Sequence, residues 1–410
     1  MTNSEIEEAA FRVWGRNFYR KTSLSQLAKE LGVSKPALYR HFASKQALTF
    51  AMTERFIDDF ADSVRSDFEK AMQTNDADDG ISLIVNCVTE YFARNVYALI
   101  FSITNIYECN LEVYSIADRL KTRGVDMGVL EHVIEKKYKC DQKVVRLVFA
   151  ALTFLMSYFH KIKKTLDNPP SGEDIKNITE LINRTIKNGL NLPPEKASLD
   201  FSELEKKIDK MALNAEQEPF FKAVAEAVAE AGPWDVSMEM VAKKLGLSKS
   251  SLYGHFKNKK DMLRRLFVTE FRRIIEYARQ GISLSVKAEE QLYLGIFSIA
   301  VYLRSRPEIL IAMNWFRTRK LDLGKPDKNL EIFRLFEDVD IETISGAAEN
   351  DKQRISHMIC FLLINILIHP TPIFSAKREK MIRIDNLKVQ NNDIKVLYKF
   401  ITQGLGGFTQ

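Results

Sequence analysis

Lys35, Tyr39, Arg40 and His41 lie close together in the chain, Lys45 follows one helical turn later, and no acidic side chain falls between Ser34 and Lys45. Cations and hydroxyls at this density, free of competing carboxylates, can hold phosphate and donate to base edges. Lys249, Tyr253, His255 and Lys259 repeat the arrangement past the middle of the chain. There the basic character is stronger: Lys243, Lys244, Lys249, Lys257, Lys259, Lys260, Arg264 and Arg265 face the single acid Asp261. Clustered positive charge of this kind attracts the backbone of a nucleic acid.

The two groups belong to an internal repeat. LSQLAKELGVSKPALYRHFASKQAL, from Leu24 to Leu48, aligns without a gap on MEMVAKKLGLSKSSLYGHFKNKKDM, from Met238 to Met262. Identical pairs are Ala28/Ala242, Lys29/Lys243, Leu31/Leu245, Gly32/Gly246, Ser34/Ser248, Lys35/Lys249, Leu38/Leu252, Tyr39/Tyr253, His41/His255, Phe42/Phe256 and Lys45/Lys259. The offset of 214 residues is the length of a whole domain, so the pattern reads as a tandem duplication and not a solenoid.

Each copy contains the elements needed to position these side chains. Ser23 is placed to cap a helix, and Gln26 three residues later completes a capping box. Leu24, Leu27, Ala28 and Leu31 follow helical spacing. Gly32 suits the left-handed turn that ends the helix. Ser34 then caps a second helix in which Pro36 is tolerated in the first turn and Leu38 and Phe42 face inward. Two short helices joined by a tight Gly-containing turn form a helix-turn-helix, whose second helix enters the major groove of DNA. That helix opens Ser34-Lys35-Pro36-Ala37 in one head and Ser248-Lys249-Ser250-Ser251 in the other.

The run Gly-Val-Ser-Lys-x-x-Leu-Tyr-x-His-Phe-x-x-Lys over Gly32–Lys45, and its second version over Gly246–Lys259, resembles the tetracycline-repressor (TetR) family of bacterial regulators. The resemblance implies an all-α protein of two TetR-like halves. Each half would be a helix-turn-helix head followed by a helical ligand-binding and dimerisation body, and the two would pair as an intramolecular pseudo-dimer. The expected boundaries are a first head at 1–50, a first body at 51–190, a linker with a helix at 191–214, a second head at 215–264 and a second body at 265–410. Carried over residue by residue, the resemblance gives Tyr39 and Tyr253 a phosphate-holding hydroxyl. It gives Lys45 and Lys259 a phosphate contact at the start of the next helix. Thr22, Ser23 and Ser237 would sit where the preceding helix meets the backbone, a natural anion site. Base reading would fall to Lys35, Ala37 and Arg40 in one head and to Lys249, Ser250 and Ser251 in the other. Ser34 and Ser248 cap those helices, and His41 and His255 contribute weakly. Two departures stand out: Phe18 replaces the glycine found as Gly232 in the second copy, with Asn17 able to supply the turn, and Gly254 stands opposite Arg40. The two heads should therefore not read the same bases equally well.

The family normally acts as homodimers on palindromic sites, with half-sites ~34–36 Å apart or at multiples of that spacing. One chain with two heads would span both half-sites, and the divergence of the copies would permit an asymmetric operator. Beyond each head the sequence is helical throughout. Lys143–Leu166 and Ile175–Leu190 are expected as the last helices of the first half, and Lys352–Ile368 and Asp393–Gln403 as those of the second. The resemblance implies that these pack as a four-helix interface. It also implies a transcriptional regulator, a repressor, reading a pseudo-palindromic double-stranded DNA operator and released by a small hydrophobic or aromatic effector. Candidate walls for that effector are Tyr91, Phe92, Tyr97, Phe101, Tyr107, Phe154 and Tyr158, then Tyr293, Phe297, Tyr302, Trp315 and Phe316.

Composition narrows the alternatives. At 410 residues, 46% of them hydrophobic, the chain is long enough for more than one core. Its acidic start lacks the pattern of a secretory signal. The apolar stretches Val144–Phe159 and Met358–Ile368 are interrupted by Arg146 or short for a membrane span, so a cytoplasmic protein without membrane contact is expected. Cys87, Cys109, Cys140 and Cys360 are scattered, which predicts buried free thiols rather than a zinc site or disulfides. No phosphate loop, metal constellation or nucleophile elbow appears, so neither an enzyme nor a cofactor is expected. The rival reading is a DNA-binding scaffold or nucleoid-associated protein with no effector.

Overall fold

A computed structural model of the chain describes residues 2–16, 23–107, 113–166, 168–211, 219–310, 312, 334–340, 349–368 and 389–409. Among them there is no β-strand, as the all-α expectation requires. Apart from the last residue, the chain divides into two compact units, Met1–Val145 with Leu155–Arg184, and Arg146–Phe154 with Thr185–Thr409.

The first unit begins with α1 (Asn3–Arg16), α2 (Leu24–Glu30) and α3 (Lys35–His41). Ile6, Ala10 and Val13 recur on one face of α1 and are buried, as are Leu27 of α2 and Leu38 of α3. Ser44 caps α4 (Lys45–Gln73), accepting from the Ala47 N–H at 3.0 Å. Leu48, Met52, Phe56, Phe60, Val64 and Phe68 form a buried stripe at near-constant four-residue spacing, which keeps this 29-residue helix on the core along its length. Against it pack α5 (Ala77–Arg94), α7 (Val113–Thr122) and α8 (Val129–Glu135), while α6 (Val96–Tyr107) packs on α1 and α5. The next helices, α9 (Gln142–Lys163) and α10 (Gly172–Asn188), differ a little from the predicted spans. Lys164 adopts a left-handed φ of 51° and stops α9 before Leu166. Ser171 accepts from the Asp174 N–H at 3.1 Å and starts α10 before Ile175. At the end of α9, the His160 ring lies 2.9 Å from the Phe92 carbonyl through Nε2 and contacts the Thr165 hydroxyl through Nδ1. Burial pulls its pKa below the ordinary 6.5, although the Phe92 contact works the other way.

By length and composition alone α9, which holds the Val144–Phe159 stretch, could cross a membrane. Within the fold, however, 61% of its apolar window is buried, the pattern of a core helix.

The second unit contains α11 (Pro194–Ala197), α12 (Phe201–Asp209), α13 (Pro219–Asp235), α14 (Met238–Leu245), α15 (Lys249–His255), α16 (Lys259–Ile282), α17 (Ala288–Ser305), α18 (Glu349–Ile368) and α19 (Asn391–Gln403). Pro219 opens α13, where its missing N–H costs nothing. The stretch expected as a linker is fastened down: Leu204 and Ile208 are buried. Glu205 accepts from the Tyr293 hydroxyl at 2.8 Å, Asn391 Nδ2 at 3.0 Å and Lys395 Nζ at 3.1 Å. Those bonds outweigh the burial of Glu205 and keep its pKa below the usual carboxylate range.

Within this unit the end of α10 meets the end of α19. Leu190 N–H donates to the Ile401 carbonyl and Leu192 N–H to the Thr402 carbonyl, both at 2.9 Å. Gly189 and Gly404 both have φ of 56°. A Cβ on Gly189 would lie 2.5 Å from the Ile401 carbonyl oxygen, and one on Gly404 would lie 2.6 Å from that of Ile186. Cys87 and Cys360 are buried, which pushes both thiols up to about 12, whereas Cys140 is only half-buried. Cys109 falls outside the described residues.

Candidate nucleic-acid interface

In the first head, Ser23 caps α2 as the sequence predicts. Gln26 N–H donates to its hydroxyl at 3.2 Å, and the Ser23 N–H donates to Gln26 Oε1 at 2.7 Å. Gly32 takes the required left-handed turn at φ of 67°. Val33 N–H reaches back to the Ala28 carbonyl at 2.9 Å and Gly32 N–H to that of Lys29 at 3.2 Å, closing the helix end. Nothing lies within 4 Å of a Cβ built at Gly32, so dihedral freedom and not space selects glycine there. Ser34 caps α3 through the Ala37 N–H at 3.3 Å.

Leu38 and Phe42 anchor α3 inward, and Lys35, Tyr39 and Arg40 are left on its exposed side, with Ala37 and Lys45 half-buried beside them. Tyr39 is 42% exposed, too much for a tyrosine whose role is packing. Its ring lies under Lys35 Nζ at 5.7 Å. Lys45 Nζ stands 5.9 Å from the Trp14 ring centre. His41 turns away: its Nδ1 is 2.8 Å from Asn3 Oδ1, tying α3 to the start of α1. Thr22, Asn17 and Phe18 lie outside the described residues.

The second head repeats this geometry with different surface chemistry. Ser237 caps α14 through the Met240 N–H at 3.1 Å, and Gly246 turns at φ of 66°. Ser248 caps α15 through the Ser251 N–H at 3.1 Å, and the two hydroxyls are 2.9 Å apart. Lys249, Ser250, Ser251 and Tyr253 are exposed, Tyr253 by 48%. His255 packs on Phe220 of α13 with ring centres 4.7 Å apart and the planes tilted by 52°, so it too faces the first helix of its head. Asn258 caps α16 through the Asp261 N–H at 2.9 Å, and Lys259 follows it, half-buried.

The flanks of the heads diverge. Where the first head has Gln46, Phe50 and Ala51, the second has Lys260, Arg264 and Arg265. Asp261, where the first head has Ala47, is partly buried, but the Lys257 N–H and Arg265 hold its carboxyl below the ordinary range. Lys244, though exposed, pairs with Glu230 at 2.5 Å and Glu226 at 3.8 Å, so its charge is taken up within the head. Where Arg40 projects from α3, Gly254 offers no side chain.

The connections from the first head into its own unit are absent from the sequence reading. Arg55 on α4 donates to the Ser4 carbonyl at 2.8 Å and approaches Glu7 at 3.7 Å, clamping α1 to α4. On the same helix, Glu54 and Asp58 pair with Arg123, and Glu54 also pairs with Arg119 of α7. These partners lie 48 or more residues apart, and no local spacing signals them. Among the candidate effector walls, Tyr91, Phe92 and Phe101 form an aromatic cluster with Phe56 and Phe60. Phe154, Tyr293, Phe297 and Tyr302 are buried, Tyr97 and Tyr158 half-buried. The side chains of Tyr107, Trp315 and Phe316 lie outside the described ones. Among the described residues no group of His, Cys, Asp and Glu is placed to hold a metal ion.

Residues 6–52 and 221–266 match the bacterial regulatory proteins of the tetR family. The chain is 30% identical over 119 residues to the HTH-type transcriptional repressor ComR of Escherichia coli, a match covering 28% of this chain and 55% of ComR. It is 34% identical over 74 residues to the fatty acid metabolism regulator protein of Bacillus subtilis, covering 18% of this chain and 38% of that protein. The matches thus span about half or less of these relatives. A solved structure of the transcriptional regulator FadR from Bacillus subtilis, in complex with stearoyl-CoA, is 20% identical, with a TM-score of 0.35 over 45% of this chain and 97% of that one.

Proposed function

We infer, from a chain that carries two TetR-family DNA-binding domains in tandem, that this protein is a cytoplasmic transcriptional repressor whose single polypeptide spans both halves of an asymmetric operator. The observation that carries the reading is the pair of capped helix-turn-helix units, each with a lysine and an over-exposed tyrosine on the outer side of its second helix. On this reading Tyr39, Lys45, Tyr253 and Lys259 hold phosphates, assisted by Thr22, Ser23 and Ser237 at the preceding helix starts. Lys35, Ala37 and Arg40 read bases in one half-site, and Lys249, Ser250 and Ser251 in the other. Ser34 and Ser248 hold the reading helices by their caps, and His41 and His255 brace them from behind.

The heads then share the work unequally. Arg40 is a long donor with no counterpart at Gly254, while Lys260 and Arg264 add phosphate-directed charge to the second head only. On this reading the heads lie at 1–50 and 215–264, the bodies at 51–190 and 265–410, and a connecting stretch at 191–214. The reciprocal contact of Gly189 and Gly404 supports the built-in dimer. Each glycine meets the carbonyl three residues before the other, the pattern of a two-fold axis passing between repeat partners. A small apolar effector, bound in a helical body, would shift the population toward head spacings that miss the operator.

Selection of bound sequences from a random duplex library, with the solution mass measured on the same sample, tests this directly. An imperfect two-part site held by one chain is the expected result. A perfect palindrome held by two chains would overturn the built-in dimer. Salt-sensitive binding without sequence preference would establish the scaffold reading instead.

A further inference from the structure

Glu270, Tyr302 and Arg306 form a polar knot inside the second unit, in otherwise apolar surroundings. Glu270 lies in mid-α16, fully buried, with Leu266, Phe267 and Ile274 buried about one turn to either side. Its carboxylate accepts the Tyr302 hydroxyl at 2.8 Å and pairs with Arg306 Nη1 at 3.0 Å and Arg273 Nη1 at 3.3 Å. Arg306 follows the end of α17 and is 2% exposed. It donates through Nη1 to the Tyr302 oxygen at 2.5 Å and lays its guanidinium over the Tyr302 ring at 5.4 Å.

Among the described residues, the side chain of Arg306 makes its hydrogen bond and its ion pair through Nη1. Its Nε and Nη2 are buried and reach no acceptor. These two nitrogens form the side-on edge of the guanidinium, whose parallel N–H bonds match the two oxygens of a carboxylate. A dry, unpaired edge of this kind costs the desolvation of two charged-group donors, so the position calls for an acceptor that no described residue supplies. The charge count agrees, since Arg273 and Arg306 bring two positive charges to the single negative charge of Glu270. A monoanion would balance the cluster.

The fold itself does not require this knot. On the repeat register Phe56 of α4 stands where Glu270 stands, and, counted from the helix starts Ala77 and Ala288, Tyr91 and Asn95 take the places in and after α5 that Tyr302 and Arg306 take in and after α17. There Phe56 packs with Tyr91 and Phe92 at 6.5 Å and with Phe60 and Phe101 at 6.0 Å, and the helix pair closes on an aromatic core. A buried ion pair is in general no more stable than such packing. Its presence in one half alone therefore points to a task other than stability.

We propose that Arg306 binds the carboxylate of an apolar small molecule in the second body, with Glu270 and Tyr302 holding the guanidinium so that its Nε–Nη2 edge receives the ligand. This rests on the effector-controlled reading above and narrows it to one body and to an acid over a neutral molecule.

The test measures octanoate, decanoate and benzoate against octanamide, decanamide and benzamide on the full chain without DNA, by calorimetric titration. The acids should bind roughly tenfold or more tightly than the amides. Arg306→Lys keeps the charge but loses the fork, and should weaken acid binding by a similar factor. Tyr302→Phe preserves the packing if the lysine variant fails to fold, and should weaken acid binding several-fold. Phe56→Leu in the first body should leave it unchanged. Equal binding of acids and amides, no binding of any acid, or acid binding indifferent to both second-body variants would each overturn the proposal. Operator affinity is measured separately on the same preparations. Acid binding that depends on Arg306 but leaves operator affinity unchanged keeps the site and removes only its effector role. Operator binding without acid preference removes the site and leaves the regulator.

Discussion

Gly189 and Gly404 close on each other's backbones: a Cβ on either would sit 2.6 Å from the amide nitrogen of the other. The two glycines stand in similar runs near the ends of the two halves, Lys187-Asn-Gly-Leu190 and Thr402-Gln-Gly-Leu405, and both adopt φ of 56°. A contact that maps onto itself when the two copies are exchanged is what a homodimer would form across its axis. Here it is made once, within one chain, and the two hydrogen bonds from Leu190 and Leu192 reinforce it.

Gly404→Val should therefore damage both stability and operator binding. It forces a branched side chain into a left-handed dihedral and into the Ile186 carbonyl, so a loss of ~2–4 kcal/mol is expected. Calorimetry would show a lower Tm, and a two-part operator should lose affinity more steeply than an isolated half-site. An unchanged Tm would mean that the α10–α19 contact is not formed in solution.

Arg40→Ala should weaken binding selectively, by ~1–3 kcal/mol at one half-site, if its guanidinium reads a base. Competition among operator variants mutated one base at a time locates the effect. Equal loss on every sequence would reassign Arg40 to the phosphate backbone.

Gly254 invites the reverse experiment. It sits within α15 with nothing inside 4 Å of a built Cβ, so Gly254→Ala should stabilise the second head by ~0.5–1 kcal/mol. Gly254→Arg should add a donor in the place of Arg40 and move the preferred operator toward a symmetric palindrome. Repeating the library selection with this variant reads that shift, and an unaltered preference would count against the equivalence of the two reading helices.

Lys259→Ala should weaken binding to all sequences alike and reduce the slope of log affinity against log salt by about one unit. Titrations on operator and random duplex over a series of salt concentrations check this. A loss confined to the operator would contradict a phosphate role.

His160 makes the first unit sensitive to acid. Its folded pKa lies below the unfolded 6.5, so between those two values the unfolded chain binds the extra proton. The stabilisation is complete above 6.5 and is lost as pH falls toward the folded value. Thermal melts should show Tm declining as pH is lowered below 6.5, and His160→Gln should flatten that part of the profile. A decline that persists in full in the variant would place the acid sensitivity elsewhere.

The helix-turn-helix units were readable from the sequence because the caps and turns that define them are short in range. Ser23 with Gln26, Ser34 with Ala37 and Gly32 with Lys29 are three residues apart, and the dihedral freedom of glycine is a property of that residue alone. The duplication made the reading firmer, because Ser248 and Gly246 repeat the same local solutions. Helix ends were less legible: a lysine at Lys164 gives no advance sign of the left-handed turn that stops α9. The orientation of His41 and His255 depended on Asn3 and Phe220, residues of another helix in each case.

The amino-acid sequence by itself thus determined the helical class, the two heads and the side chains on their outer faces, since caps, turns and helical spacing are settled within a few residues. Tertiary structure alone decided the pairing of Gly189 with Gly404, the clamp of Arg55 on Ser4 and the seating of Glu270 against Arg306. These partners are separated by 36 to 215 residues, and which groups meet depends on how the helices pack. A buried charge or a close glycine carries no local signature, because its energy exists only after the surrounding helices have excluded water and fixed the distance.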